Sequence, residues 1–128
     1  MSRFGILRTA KTVVIEEGQS LSGAVKCEGS SLAAVILPPD WTTADITFQA
    51  SADGTNWFNV FDAAENEVTI LQATANVDNQ GAYLGQYTAL DPTLFRGVGR
   101  IRVRSGTSST PVAQTDADKT VTLVFIND

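Results

Sequence analysis

Short apolar runs recur along the chain with turn residues between them, and no segment of useful length keeps the period of an amphipathic helix. "KTVVIEE" (11–17) predicts a first strand, ended by Gly18. "SLSGAVKC" (20–27) predicts a second, and "SLAAVILP" (31–38) is apolar throughout, as in a strand buried on both faces. In "DITFQAS", Ile46, Phe48 and Ala50 point one way while Thr47, Gln49 and Ser51 point the other. Asp53-Gly54 then supplies the positive φ that a hairpin connection needs, and "WFNVF" returns. That return strand places Trp57, Asn59 and Phe61 on one face, with Phe58 and Val60 on the other. "NEVTILQATANV" (66–77) predicts one or two further strands.

Residues 82–99 are less regular. "LDPTLFRGVG" reads as a helical turn near 91–97, capped by Asp91, opened by Pro92 and ended by Gly97. "RIRVR" (100–104) turns Ile101 and Val103 inward and three arginines outward, and "KTVTLVFIN" (119–127) closes the chain with another strand. Between them, "SGTSSTPVAQTDAD" (105–118) predicts an exposed loop. The sum is an all-β fold, an antiparallel β-sandwich or jelly roll of eight to nine strands. Its division is an N-terminal arm over 1–10 and one domain over 11–128.

A chain of 128 residues with 43% hydrophobic content can bury a real core without staples. Cys27 is the single cysteine, so an intrachain disulfide is excluded. Histidine is absent, which removes imidazole acid–base catalysis, the usual nucleophile–histidine pairs and most zinc sites. "DGTN" (53–56) and "DAAENE" (62–67) offer oxygen ligands at spacings unlike an EF-hand. No cofactor motif, metal set or catalytic group stands out, and a non-enzyme is expected. The first residues lack the apolar core of a secretory signal, and the longest apolar run is too short to span a bilayer. The expectation is a protein made in a host cytoplasm, with no membrane partner.

The net charge of −5 is unevenly placed. Residues 1–15 carry Arg3, Arg8 and Lys11 with no acid, and residues 16–95 hold eleven carboxylates against Lys26 alone. Arg96, Arg100, Arg102 and Arg104 then crowd together. An acidic middle argues against nucleic acid as a partner. Like charges side by side on a strand repel by about 0.2–1 kcal/mol unless acids answer them. Those acids come either from neighbouring strands or from another subunit, and the second reading makes this stripe an interface. Arg3, Phe4 and Arg8 are its companions in an arm that either frays or orders on a partner. Trp57 either stacks a ligand or closes the core beside Phe48 and Phe61, and the nearby phenylalanines favour the core. Trp41, after Pro38-Pro39-Asp40, has the better claim to exposure, where it either stacks on a glycan or forms a lid over one end of the sandwich.

Two resemblances follow from these residues. "ITFQASADGTNWFNV" is similar to the β-run and S-x-DG-x-x-W hairpin of discoidin-like, galactose-binding-like sandwiches, over about 15 residues. More of the chain takes part in the second. "GQSLSGAVKCEGSSLAAVILPPDWTTADITFQASADGTNWFNVFD" with "RIRVRSGTSSTPVAQTDADKTVTLVF" resembles small virion proteins of tailed bacteriophages, over roughly 70 residues. That resemblance implies a β-sandwich head decoration or cement protein on the capsid surface, bound to the major capsid protein as a homotrimer. It leaves open a tail or neck component, and the tryptophans leave open a carbohydrate-binding module.

Overall fold

The computed structural model describes residues 8–72 and 77–127. Among the described residues, eight strands alternate with turns: β1 (Arg8–Ile15), β2 (Val25–Lys26), β3 (Ser30–Leu37), β4 (Ile46–Ser51), β5 (Phe58–Asn59), β6 (Gln86–Ala89), β7 (Arg100–Ser105) and β8 (Lys119–Asn127). One 3₁₀ turn, Pro92–Phe95, precedes β7. The strands form two four-stranded antiparallel sheets, β1-β8-β3-β6 (sheet I) and β2-β7-β4-β5 (sheet II). The fold is an antiparallel β-sandwich, as the strand pattern predicts.

Alternation builds the core. Val13, Ile15, Val121, Leu123 and Phe125 from sheet I face Ile46, Phe48, Ile101 and Val103 from sheet II, all buried. Phe95 from the 3₁₀ turn completes it, packing edge-on against Phe48 with ring centroids 5.3 Å apart. The apolar run in β3 owes its appearance to a bulge. Its pairing with β8 shifts between Leu32 and Ala34, so Leu32 and Val35, three residues apart, both face the core. Asp91 caps the 3₁₀ turn by accepting the Thr93 amide, as expected.

Several expectations need correction. The arm does not reach residue 10: Arg8, Thr9 and Ala10 pair with Ile126, Phe125 and Val124 as the start of β1. Arg3 and Phe4 lie outside the described residues. The segment 20–27 keeps only two strand residues, although Leu21 bridges to Arg104. Residues 66–72 contribute single bridges, Glu67 to Phe61 and Ile70 to Ile46, instead of a full strand, and residues 73–76 lie outside the described set. Within the irregular stretch 82–99, β6 emerges as an edge strand of sheet I.

The 105–118 loop is only partly exposed. Ser105 and Gly106 are buried, and Gln114 is fully enclosed. Its side chain accepts the Thr42 amide at 2.8 Å and donates to the Thr42 carbonyl at 3.0 Å and to Ser105 Oγ at 2.8 Å. A buried amide with every group engaged acts as a clamp between this loop and the one that follows β3.

Candidate interaction surface

The arginine strand folds with its guanidinium groups on the outer face of sheet II, and neighbouring strands answer two of them. Arg104, only 6% exposed, is the correction to the outward stripe. Its Nη1 donates to Thr47 Oγ1 and pairs with Glu67 Oε2, both at 3.3 Å, while Nη2 donates to Asn59. Glu67 also accepts from the Ser108 amide and hydroxyl at 3.1 Å, so one carboxylate ties β7 to the long loop. Arg102 donates Nε–H to Gln49 at 2.8 Å and lies 4.2 Å from the centre of the Trp57 ring. Burial, followed by the neighbouring Arg104 charge, lowers the Arg102 pKa. Arg100 is half-buried and packs over Gly54 in the hairpin turn.

Both tryptophans depart from expectation. Trp57 is half-buried outside the core cluster, where its ring serves as the platform for Arg102 instead of meeting Phe48. Trp41 is 5% exposed and donates its indole N–H to the Ala44 carbonyl at 2.9 Å. It packs in the core, so no indole face is left for a sugar. The short stretch after Pro38-Pro39 folds inward because its apolar ring has a polar partner close at hand.

The exposed apolar residues lie elsewhere. Phe58, Phe61, Leu71, Val77, Leu84 and Tyr87 all fall between residues 58 and 87, and Val14 is the other large apolar side chain described as exposed. β5 and β6 are edge strands, of sheet II and sheet I respectively, and this stretch connects them. Two surface grooves are cut here. One, beside β5, is lined by Ala50, Phe58, Val60, Phe61, Val98 and Arg96. The other lies on the outer face of sheet I, where Ile36, Pro38, Pro39, Leu84, Tyr87 and Thr122 meet.

Outer sheet I differs from outer sheet II in chemistry. By alternation its outer side holds Ala10, Thr12 and Val14, then Thr120, Thr122, Val124 and Ile126, with Ala34, Ile36, Tyr87 and Ala89, of which Ala34 and Val124 are buried. Arg8, at one corner, is its single charged strand residue. The far end of the same sheet is acidic: Glu16, Glu17, Asp40, Asp116 and Asp118 are exposed there. Lys119, 1% exposed, is the cation among them, donating to the Thr115 carbonyl at 2.6 Å and lying 3.8 Å from Asp40.

The exposed phenylalanines were missed for an identifiable reason. In "WFNVF" apolar residues occupy both parities, which an edge strand with one covered face cannot bury, and that mismatch was the available signal. Chemistry is sparse by comparison. Among the described residues no group of three or more His, Cys, Asp or Glu side chains is placed to hold a metal ion. The Cys27 thiol is buried, and burial raises its pKa. No family model, curated protein or solved structure matches this chain.

Proposed function

We propose that the protein is a non-enzymatic structural component of a tailed-phage particle, a decoration or cement protein bound to the outside of the capsid shell. The observation that carries the reading is the apolar flank between β5 and β6, where large side chains stay exposed beside two sheet edges. Such a surface suits a broad protein partner better than a small substrate. The resemblance of the hairpin and the arginine strand to small virion proteins supplies the kind of partner. In this reading Phe58 and Phe61 meet the shell, with Arg96 on the rim of their groove. Arg102 and Arg104 brace sheet II and leave the contact to others. Many copies on one shell turn modest contacts into stable coating.

The test is co-sedimentation of the purified protein with undecorated shells of a tailed phage that carries this gene. Phe58→Asp and Phe61→Asp alter exposed side chains, so the variants keep the wild-type circular dichroism spectrum. Their coating affinity falls by about tenfold or more if these rings are contact anchors. Full occupancy by both variants overturns the assignment of the surface, and wild-type protein that ignores the shells overturns the decoration reading. Labelling on intact particles that marks the neck or tail moves the same protein to that location.

A further inference from the structure

We infer that the outer face of sheet II binds an extended acidic segment of a partner protein, with Arg100 and Arg102 receiving two of its carboxylates. The shell contact is placed at Phe58 and Phe61, so this is a second contact and does not rest on the decoration reading.

Cations outnumber acids on this face. Arg100, Arg102 and Arg104 alternate along β7, and Lys26 stands opposite Arg100 on the β2 edge. Glu67 answers Arg104. Asp53, in the adjoining hairpin turn, accepts instead from Ser51, Thr55 and Asn56. Among the described residues no carboxylate pairs with Arg100, Arg102 or Lys26. In a chain of net charge −5, such a face draws anions to itself.

The hairpin between β4 and β5 also holds two of these guanidinium groups in place. Trp57 lies 4.2 Å from Arg102, and Gln49 accepts the Arg102 Nε–H at 2.8 Å. The Nη groups of Arg102 keep no protein partner among the described residues. Arg100 rests against Gly54, where a Cβ would meet its Nη1. A tight turn calls for Asp53-Gly54 but not for Trp57, whose ring stays outside the core and seats Arg102. A planar fork fixed beforehand loses little freedom when it binds. Arg102 also bears a burial penalty and the neighbouring Arg104 charge, both of which an arriving carboxylate offsets.

Spacing selects the ligand. Arg100 and Arg102 are alternate residues of one strand, about 7 Å apart. An extended peptide presents its own alternate side chains to one side at the same interval. Acids at i and i+2 therefore set one carboxylate over each guanidinium, where charge-assisted hydrogen bonds form.

Fluorescence anisotropy with the full chain tests this, using a labelled peptide that alternates Thr and Glu. The controls are its Thr/Gln version and an isomer with the same glutamates in adjacent pairs. Wild-type protein binds the alternating peptide with an affinity that falls as salt is raised, binds the isomer more weakly and ignores the glutamine version. Arg100→Gln and Arg102→Gln each weaken binding by about tenfold. The Arg100 side chain makes no hydrogen bond within the described chain, so Arg100→Gln keeps the fold and decides the matter even where Arg102→Gln disturbs it. Equal binding of all three peptides, or unchanged binding by Arg100→Gln, would overturn the inference. Tighter binding of a polyuronate would make the ligand a saccharide and overturn it too. Self-association that Arg100→Gln abolishes in sedimentation velocity would do the same by making the partner a second copy. Peptide binding without shell coating refutes the decoration reading alone, and coating without peptide binding refutes this inference alone.

Discussion

Arg104 shows how a residue that reads as surface charge becomes part of the frame. Its guanidinium is nearly covered, and Glu67, Thr47 and Asn59 share its donors. Removing one member of a buried ion pair leaves the other uncompensated, at a cost of about 3–5 kcal/mol. Arg104→Ala is therefore expected to lower unfolding free energy by about that amount, read by urea denaturation, with Glu67 stranded beside the long loop. An Arg104→Ala protein as stable as wild type would mean that the pair contributes nothing. Residue-level legibility was limited here by the partner's distance in sequence. Glu67 sits 37 residues away, and nothing in "RIRVR" announces it. The glycan-stacking reading of Trp41 fails for a different reason, since the Ala44 carbonyl three residues away accepts its indole N–H only once the loop has folded inward.

Among the elements, the β4–β5 turn was legible because Asp-Gly marks it locally, although the return strand keeps only Phe58–Asn59 of the expected 57–61. Asp53 accepts from the amides of Asn56 and Thr55 and from the Asn56 side chain, each at 2.8 Å. These bonds, the Asn56 amide foremost, hold its carboxyl well below the usual 3.8. A lowered folded value means that the ionised carboxylate favours the native turn. Its contribution is complete above pH 3.8 and is lost as pH falls through the lower folded value. Asp53→Ala is thus expected to be less stable than wild type at neutral pH, with the difference shrinking in acid below pH 3.8. Urea unfolding at neutral and strongly acidic pH measures both, and a pH-independent difference would refute the role of the charge. Strands β1, β3, β4, β7 and β8 were legible because each is long enough for its pattern to show. β6 was not, because Tyr87 and Ala89 stay exposed at an edge while Gln86 turns to the Leu71 carbonyl. The pattern of β3 hid its bulge, since a shift of register looks the same as an unbroken apolar run.

At the scale of the whole molecule, the sandwich is asymmetric in three ways. Sheet II carries braced arginines outside, sheet I carries an almost uncharged face, and most exposed large apolar residues fall in the stretch from β5 to β6. The fold was readable in the sequence because period and turn chemistry act locally. The exposed apolar residues were not, since Phe58 and Phe61 line one groove and Leu84 and Tyr87 another only after the sheets form. Stability is distributed just as unevenly. β8 and β3 are paired on both sides, whereas β2 and β5 are two-residue edges. Native-state hydrogen exchange is expected to find the slowest amides in β8 and β3 and the fastest strand amides in β2 and β5. Protection in β5 equal to that in β8 would contradict this order.

The position of β8 in sheet I has a consequence for biosynthesis. The strand between β1 and β3 comes from residues 119–127, so no pairing in that sheet links its first strand to its third until these residues join. While a ribosome is still decoding them, β1 can only wait beside an incomplete sheet. Folding of this half consequently waits for residues 119–127, and a nascent chain stalled before residue 119 exposes the apolar sides of β1 and β3 to chaperones.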